Sequence, residues 1–105
     1  MASGTEPRPI ALSTADTSQT VSGVTIRYRT YGQLCIVTIG GAPTTTDTIQ
    51  FTGLPQAIMG YHETHGQWGN SSNQVQIWID DLSTTLSIRN HTTNNMNDTV
   101  MYICV

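Results

Sequence analysis

The sequence contains no lysine, and Arg8, Arg27, Arg29 and Arg89 are its only permanent cations. Phosphate backbones are gripped by several clustered cations, so nucleic-acid binding is not expected. Charged residues make up 10% of the chain, against roughly 25% in an average globular protein. The formal net charge is -3. Long apolar runs are missing too. None approaches the roughly 18 residues that cross a bilayer, so a soluble domain without membrane insertion is expected. Met1 to Pro9 lacks the apolar stretch of a signal peptide. Helical periodicity does not extend beyond one turn anywhere. Catalytic signatures are also lacking: no Gly-x-Ser-x-Gly elbow, no phosphate loop and no His-Glu-x-x-His. Asp80 and Asp81 are adjacent, which in a strand would turn them to opposite faces. Turn chemistry accounts for them better than paired acid–base work. A non-enzymatic domain with no cofactor is expected.

Two cysteines are present, and both Cys35 and Cys104 lie in apolar, strand-like runs. They read as buried free thiols. A disulfide stays open at this point, because it depends on a Cα separation that sequence does not set.

Thr, Ser, Asn and Gln fill the place of the charged residues. The result is a polar, uncharged surface, suited to an extracellular or virion-exposed protein and to hydrogen bonding with sugars. Thr also favours strands. The 105 residues suffice for one domain. Residues 1–20 show no periodicity and read as an extended linker or shaft remnant; residues 21–105 read as the domain. Val24, Ile26 and Tyr28 alternate with Thr25, Arg27 and Arg29, a strand with one wet face. A Gly32 hairpin turn leads into a second strand, Leu34 to Ile39. Further strands are expected at 46–52, 57–61, 75–79, 84–89 and 99–105. Residues 62–73 and 91–98 read as polar loops. Seven to eight short strands at this spacing predict an all-β, antiparallel sandwich, jelly-roll-like.

Leu34–Ile39 and Val100–Val105 are apolar on both faces. A sandwich buries one face of each sheet, so sister copies are expected to cover the other. Ile36, Trp78, Met101 and Ile103 are the candidate interface residues. The last strand, lacking a polar tail, is expected to be central.

Tyr61, His62, His65, Trp68, Asn70 and Asp80 form the candidate receptor site. Trp68 lies between Gly66 and Gly69, where it either stacks on a sugar ring or folds back over the sandwich. Carboxylates, amides and imidazoles nearby suit sugar hydroxyls. Trp78 alternates away from Ile77 and Ile79, and is either a subunit contact or a second stacking platform. His62, His65 and His91 read as solvent-exposed loop histidines rather than a metal set. Asn70, Asn90 and Asn97 begin glycosylation-type triplets, as expected by chance in a chain rich in Asn and Thr.

The segment from Val21 to Gly40, VSGVTIRYRTYGQLCIVTIG, resembles the C-terminal domains of phage and prophage tail fibres and receptor-binding proteins. There a G-V-T-x-R strand turns through a Gly-containing hairpin into a V-T-V strand. Leu54-Pro55, Ile77-Trp78-Ile79-Asp80 and Leu86-Ser87-Ile88 match later landmarks, and Met101 to Val105 matches the terminal aromatic-containing strand. The resemblance spans residues 20–105. It implies a homotrimeric sandwich head at a fibre tip, on the virion surface, attached to a host-surface receptor that is often a carbohydrate. Fibre heads of small adenoviruses share this plan. A decoration domain with an assembly role only, or a free-standing lectin, are the alternatives.

Overall fold

The computed structural model describes residues 16–65 and 74–105, the side chain of His65 excepted. Eight strands run through them: β1 (Thr17–Val21), β2 (Val24–Tyr31), β3 (Leu34–Gly41), β4 (Ile49–Phe51), β5 (Tyr61–His65), β6 (Val75–Ile79), β7 (Leu86–Arg89) and β8 (Met96–Ile103). No helix occurs among the described residues. The expected all-β antiparallel sandwich is what the chain forms.

The strands make two antiparallel sheets, ordered β1-β2-β3-β8 and β4-β7-β6-β5. In the second sheet β5, β6 and β7 follow one another and β4 lies beside β7, a Greek-key arrangement. Period-2 alternation fixes which face is inward. Val24 and Ile26 of β2, Val37 and Ile39 of β3, and Val100 and Tyr102 of β8 turn inward. They meet Ile49, Phe51, Val75, Ile77, Ile79, Leu86 and Ile88 from the other sheet in one core. Gln19 Nε2 donates to the carbonyl of Thr52 and ties the sheets together at the β1 side.

Two short turns set the register of the first sheet. Ser22 and Gly23 both have positive φ, 50° and 85°, as a two-residue turn between twisted strands requires. Gly41 packs beneath it: a Cβ at Gly41 would run into the carbonyl of Gly23. Gly32, at φ 62°, makes the β2–β3 turn, as its sequence predicts.

Several sequence expectations are corrected. Residues 17–20, read as linker, pair along β2 in register from Thr17↔Tyr28 to Val21↔Val24. The fourth strand is not 57–61: Ala57 makes only an isolated bridge to Cys104, and β5 starts at Tyr61. His62–His65, read as loop, is strand. So is the 96–98 end of β8. Finally, β8 is an edge strand rather than a central one. The 56–58 segment covers its last residues through Ile58 N–H to Ile103 O, 2.9 Å, and Val105 N–H to Gln56 O, 3.0 Å.

Cys35 and Cys104 are free and buried. Burial is the first cause of the raised pKa of both thiols.

Candidate functional site

Val75, Ile77 and Ile79 fill the core, so Gln76 and Trp78 face out of the second sheet. Register places His62 opposite Trp78 and Thr64 opposite Gln76. On the other flank it places Arg89 opposite Gln76 and Ser87 opposite Trp78. Opposed residues share a face. The outer face of this sheet therefore carries two aromatics, two hydroxyls, one amide and one cation within three strands.

Trp78 is the centre of that face. It is half-buried, and His62 from β5 forms an offset stack with it, ring centroids 6.2 Å apart and planes 26° from parallel. From β7 on the other side, the Arg89 guanidinium lies 5.0 Å from the indole centroid. A cation over an indole face is an attractive arrangement. Arg89 Nε also donates to Gln76 Oε1.

At the end of β5 and β6 the face dips into a concavity of about 500 Å³, lined by Gly60, Tyr61, His62, Trp78, Ile79, Asp80 and Asp81. The backbone N–H of Gly60 donates to Asp81 Oδ1. That approach depends on glycine. A Cβ at residue 60 would lie 2.9 Å from Ile79 O and from Asp81 Oδ1, and 3.0 Å from Asp81 N. The 80–83 turn is pinned from behind by Leu82 N–H to Ala57 O, 2.8 Å, and Ser83 N–H to Asp80 O, 3.0 Å. Leu82 adopts φ 62°, a left-handed conformation that costs a residue with a Cβ. Asp81 thus shapes the concavity, while exposed Asp80 stands at its wall.

A second concavity of about 580 Å³ lies past Arg89, lined by Thr46, Asp47, Thr48, Arg89, Asn90, His91, Thr92 and Thr93. His91, expected to be solvent-exposed, is instead buried beneath it. Its Nδ1 sits 2.9 Å from Thr92 O and its Nε2 2.7 Å from Asp47 O. Both ring nitrogens are occupied by backbone, so His91 braces two loops.

His62, Trp78 and Asp80, singled out in the sequence, come together at the first concavity. Tyr61 lines it as well, but its side chain shares the inward face with Ile79. Its hydroxyl donates to Glu63 Oε1 over 2.7 Å. That bond foremost, then burial and the charges of Glu63 and Asp98, push the phenol up to about 12. His65 ends β5 opposite Val75. Trp68 and Asn70 lie outside the described residues. Ile36, Met101 and Ile103 share a different surface, the outer face of the first sheet. There Leu34 opposes Ile103 and Ile36 opposes Met101. Ile36 is half-buried, while Met101 is 52% and Ile103 41% exposed. Trp78 is not on that surface.

Gly60, Arg89 and Gln76 do not stand out in the sequence as site residues, and Asp81 reads there only as a turn residue, which it is. For Arg89 a signal existed: Leu86 and Ile88 face inward, which sends Arg89 outward beside Trp78. For Gly60 and Asp81 no local signal exists, because their meeting depends on how two strand ends abut.

No protein-family profile, no curated protein and no solved structure matches the chain.

Proposed function

We propose that this domain is a non-enzymatic adhesion module, the receptor-binding head of a viral fibre, and that it grips a carbohydrate on the outer face of the β4-β7-β6-β5 sheet. The observation that carries this reading is Trp78, stacked with His62 at the wall of an open concavity edged by Asp80. An aromatic surface beside polar acceptors is the division of labour that sugar rings call for: the ring stacks on the apolar surface and its hydroxyls donate to the carboxylate. Binding of the purified domain to a glycan array tests it. Trp78→Ala is expected to weaken a bound glycan at least about tenfold, or roughly 1.4 kcal/mol, while the domain stays folded at the assay temperature. Asp80→Asn is expected to weaken it less. Undiminished binding by both variants would remove this face from the site.

The same reading includes a homotrimer packed through Ile36, Met101 and Ile103 on the virion surface. What supports it is the exposure of Met101 and Ile103 in register with half-buried Leu34 and Ile36. Contiguous apolar surface of this kind is uncommon on a free monomer. Trp78 is assigned to the ligand instead.

A further inference from the structure

We propose that Arg89 is an anion-binding position, and that the glycan held on this face carries a carboxylate, as a sialic acid or a uronic acid does. The inference rests on the carbohydrate reading above and adds the chemical class of the sugar.

Arg89 is the only cation on this face among the described residues; Arg27 and Arg29 lie on β2 in the opposite sheet. Arg29 is already paired, its Nε 2.6 Å from Asp16 Oδ1. Arg89 has no carboxylate within ion-pair distance among the described residues. Its charge is nevertheless held in place. Gln76 takes the Nε–H, and the guanidinium carbon rests over Trp78. With Nε engaged, the two terminal nitrogens, without a hydrogen-bond partner among the described residues, present a planar fork. A fork of that shape matches a carboxylate through two parallel N–H···O bonds. Anchoring it beforehand reduces the ordering cost of binding.

The surroundings sort the ligand by charge. Asp80 and Asp81 stand at one end of the face, where they repel an anion and accept from neutral hydroxyls. Arg89 stands at the other end, before a concavity edged by Thr46, Thr48, Asn90, Thr92 and Thr93. Those side chains are neutral donors and acceptors fit for the rest of an acidic sugar. Asp47 shares that concavity and lowers its attraction for anions. One orientation follows: the neutral ring lies over His62 and Trp78, and the carboxylate reaches Arg89.

The test uses the whole chain and an array of sialylated and uronate-containing oligosaccharides, each printed beside its methyl ester. The acid is expected to bind at least about tenfold more tightly than its ester, a gap that narrows as salt screens the charge. Arg89→Gln should erase the gap while ester binding persists, and Arg89→Lys should restore part of it. Asp47→Asn should widen it. Equal binding of acids and esters would overturn the anion site and leave the carbohydrate reading standing. Loss of ester binding in Arg89→Gln would overturn it too, by making Arg89 a support for Trp78. Absence of binding to any glycan would overturn both readings.

Discussion

Replacing Gly60 with alanine probes the joint that shapes the concavity. Gly60 is not among the glycines with positive φ, so the cost of a side chain there is steric. The new Cβ would stand 2.9 Å from Ile79 O and Asp81 Oδ1 and 3.0 Å from Asp81 N. The Asp81 carboxylate can swing away, but Ile79 O and Asp81 N are backbone. Both are fixed by β6 and by the bonds of the 80–83 turn. Relief therefore requires the turn to move off β5, which breaks the Gly60 N–H bond to Asp81. Forcing one carbon into a packed contact costs about 1–3 kcal/mol. The lost bond to a charged acceptor costs about 1.5–3 kcal/mol when buried and less at this exposed site. The two are alternatives rather than a sum, since movement that relieves one brings on the other. The expected destabilisation is about 2 kcal/mol, or a melting temperature lower by roughly 8–16 °C. Urea unfolding followed by tryptophan fluorescence measures it, with the m-value unchanged. In an Asp81→Ala background the carboxylate is gone but the backbone clash stays, so Gly60→Ala should still cost more than about 1 kcal/mol. A cost below about 0.5 kcal/mol in both backgrounds would refute the close-approach argument.

Three other expectations are open to direct measurement. Met101→Asp places a charge opposite Ile36 on the outer face of the first sheet; light scattering should find a multimer for the native chain and a folded monomer for the variant, and equal masses would dismiss this face as an interface. Leu82→Asn should raise stability by about 1 kcal/mol, because Leu82 is left-handed and exposed while Asn tolerates that conformation; an unchanged or lower denaturation midpoint would count against strain there. Tyr61 should ionise near 12, against 10.0 for an ordinary phenol, and Glu63→Gln should lower that value in an ultraviolet titration. Because the folded value is the higher one, Tyr61's contribution to stability is complete below pH 10 and is lost as pH rises towards 12.

How far the fold was legible follows from what holds each strand. The strands around Val24–Tyr28, Leu34–Ile39 and Val75–Ile79 announce themselves because their own side chains alternate into the core. The ones misread are β1, β5 and the start of β8, and all three lie on edge strands. In β1 only Gln19 and Val21 are even half-buried; the Ser22-Gly23 turn and pairing with β2 make it a strand. In β5 the inward positions include Tyr61 and Glu63, and a polar segment of this kind reads as loop. Such a strand is specified by its neighbour rather than by its own pattern. The 57–61 error has a related cause: Ala57 is buried against Cys104 through a single bridge, and apolar burial there mimics a strand. The site divides in the same way. His62, Trp78 and Asp80 were visible as residue types. The supporting Gly60–Asp81 and Arg89–Gln76 pairs were not, since they join segments distant in sequence.

The two open sides of the sandwich are guarded differently, and the difference says how copies of the chain would meet. On one side Gln19 ties β1 to the segment after β4. On the other, edge strands β5 and β8 carry Glu63 and Asp98 on their core-facing sides. Both charges reach the Tyr61 phenol. Inward carboxylates on edges disfavour extension of a sheet by an added strand. The far end of β8 has a different guard. There the 56–58 segment occupies the edge, with Ile58 N–H on Ile103 O, yet Met101 and Ile103 remain exposed on the sheet's outer face. An occupied edge beside an open apolar face favours packing of face on face over sheet extension. The Cys104 N–H bond to Gln33 O sets the phase of β8 in its antiparallel pairing, so the N–H of Thr99 points away from β3. Proline fits edge positions of that kind. Thr99→Pro should therefore leave the solution mass of the native assembly unchanged, where Met101→Asp reduces it. Dissociation by Thr99→Pro with the fold intact would mean that copies join edge to edge, and that the apolar face is not what they share.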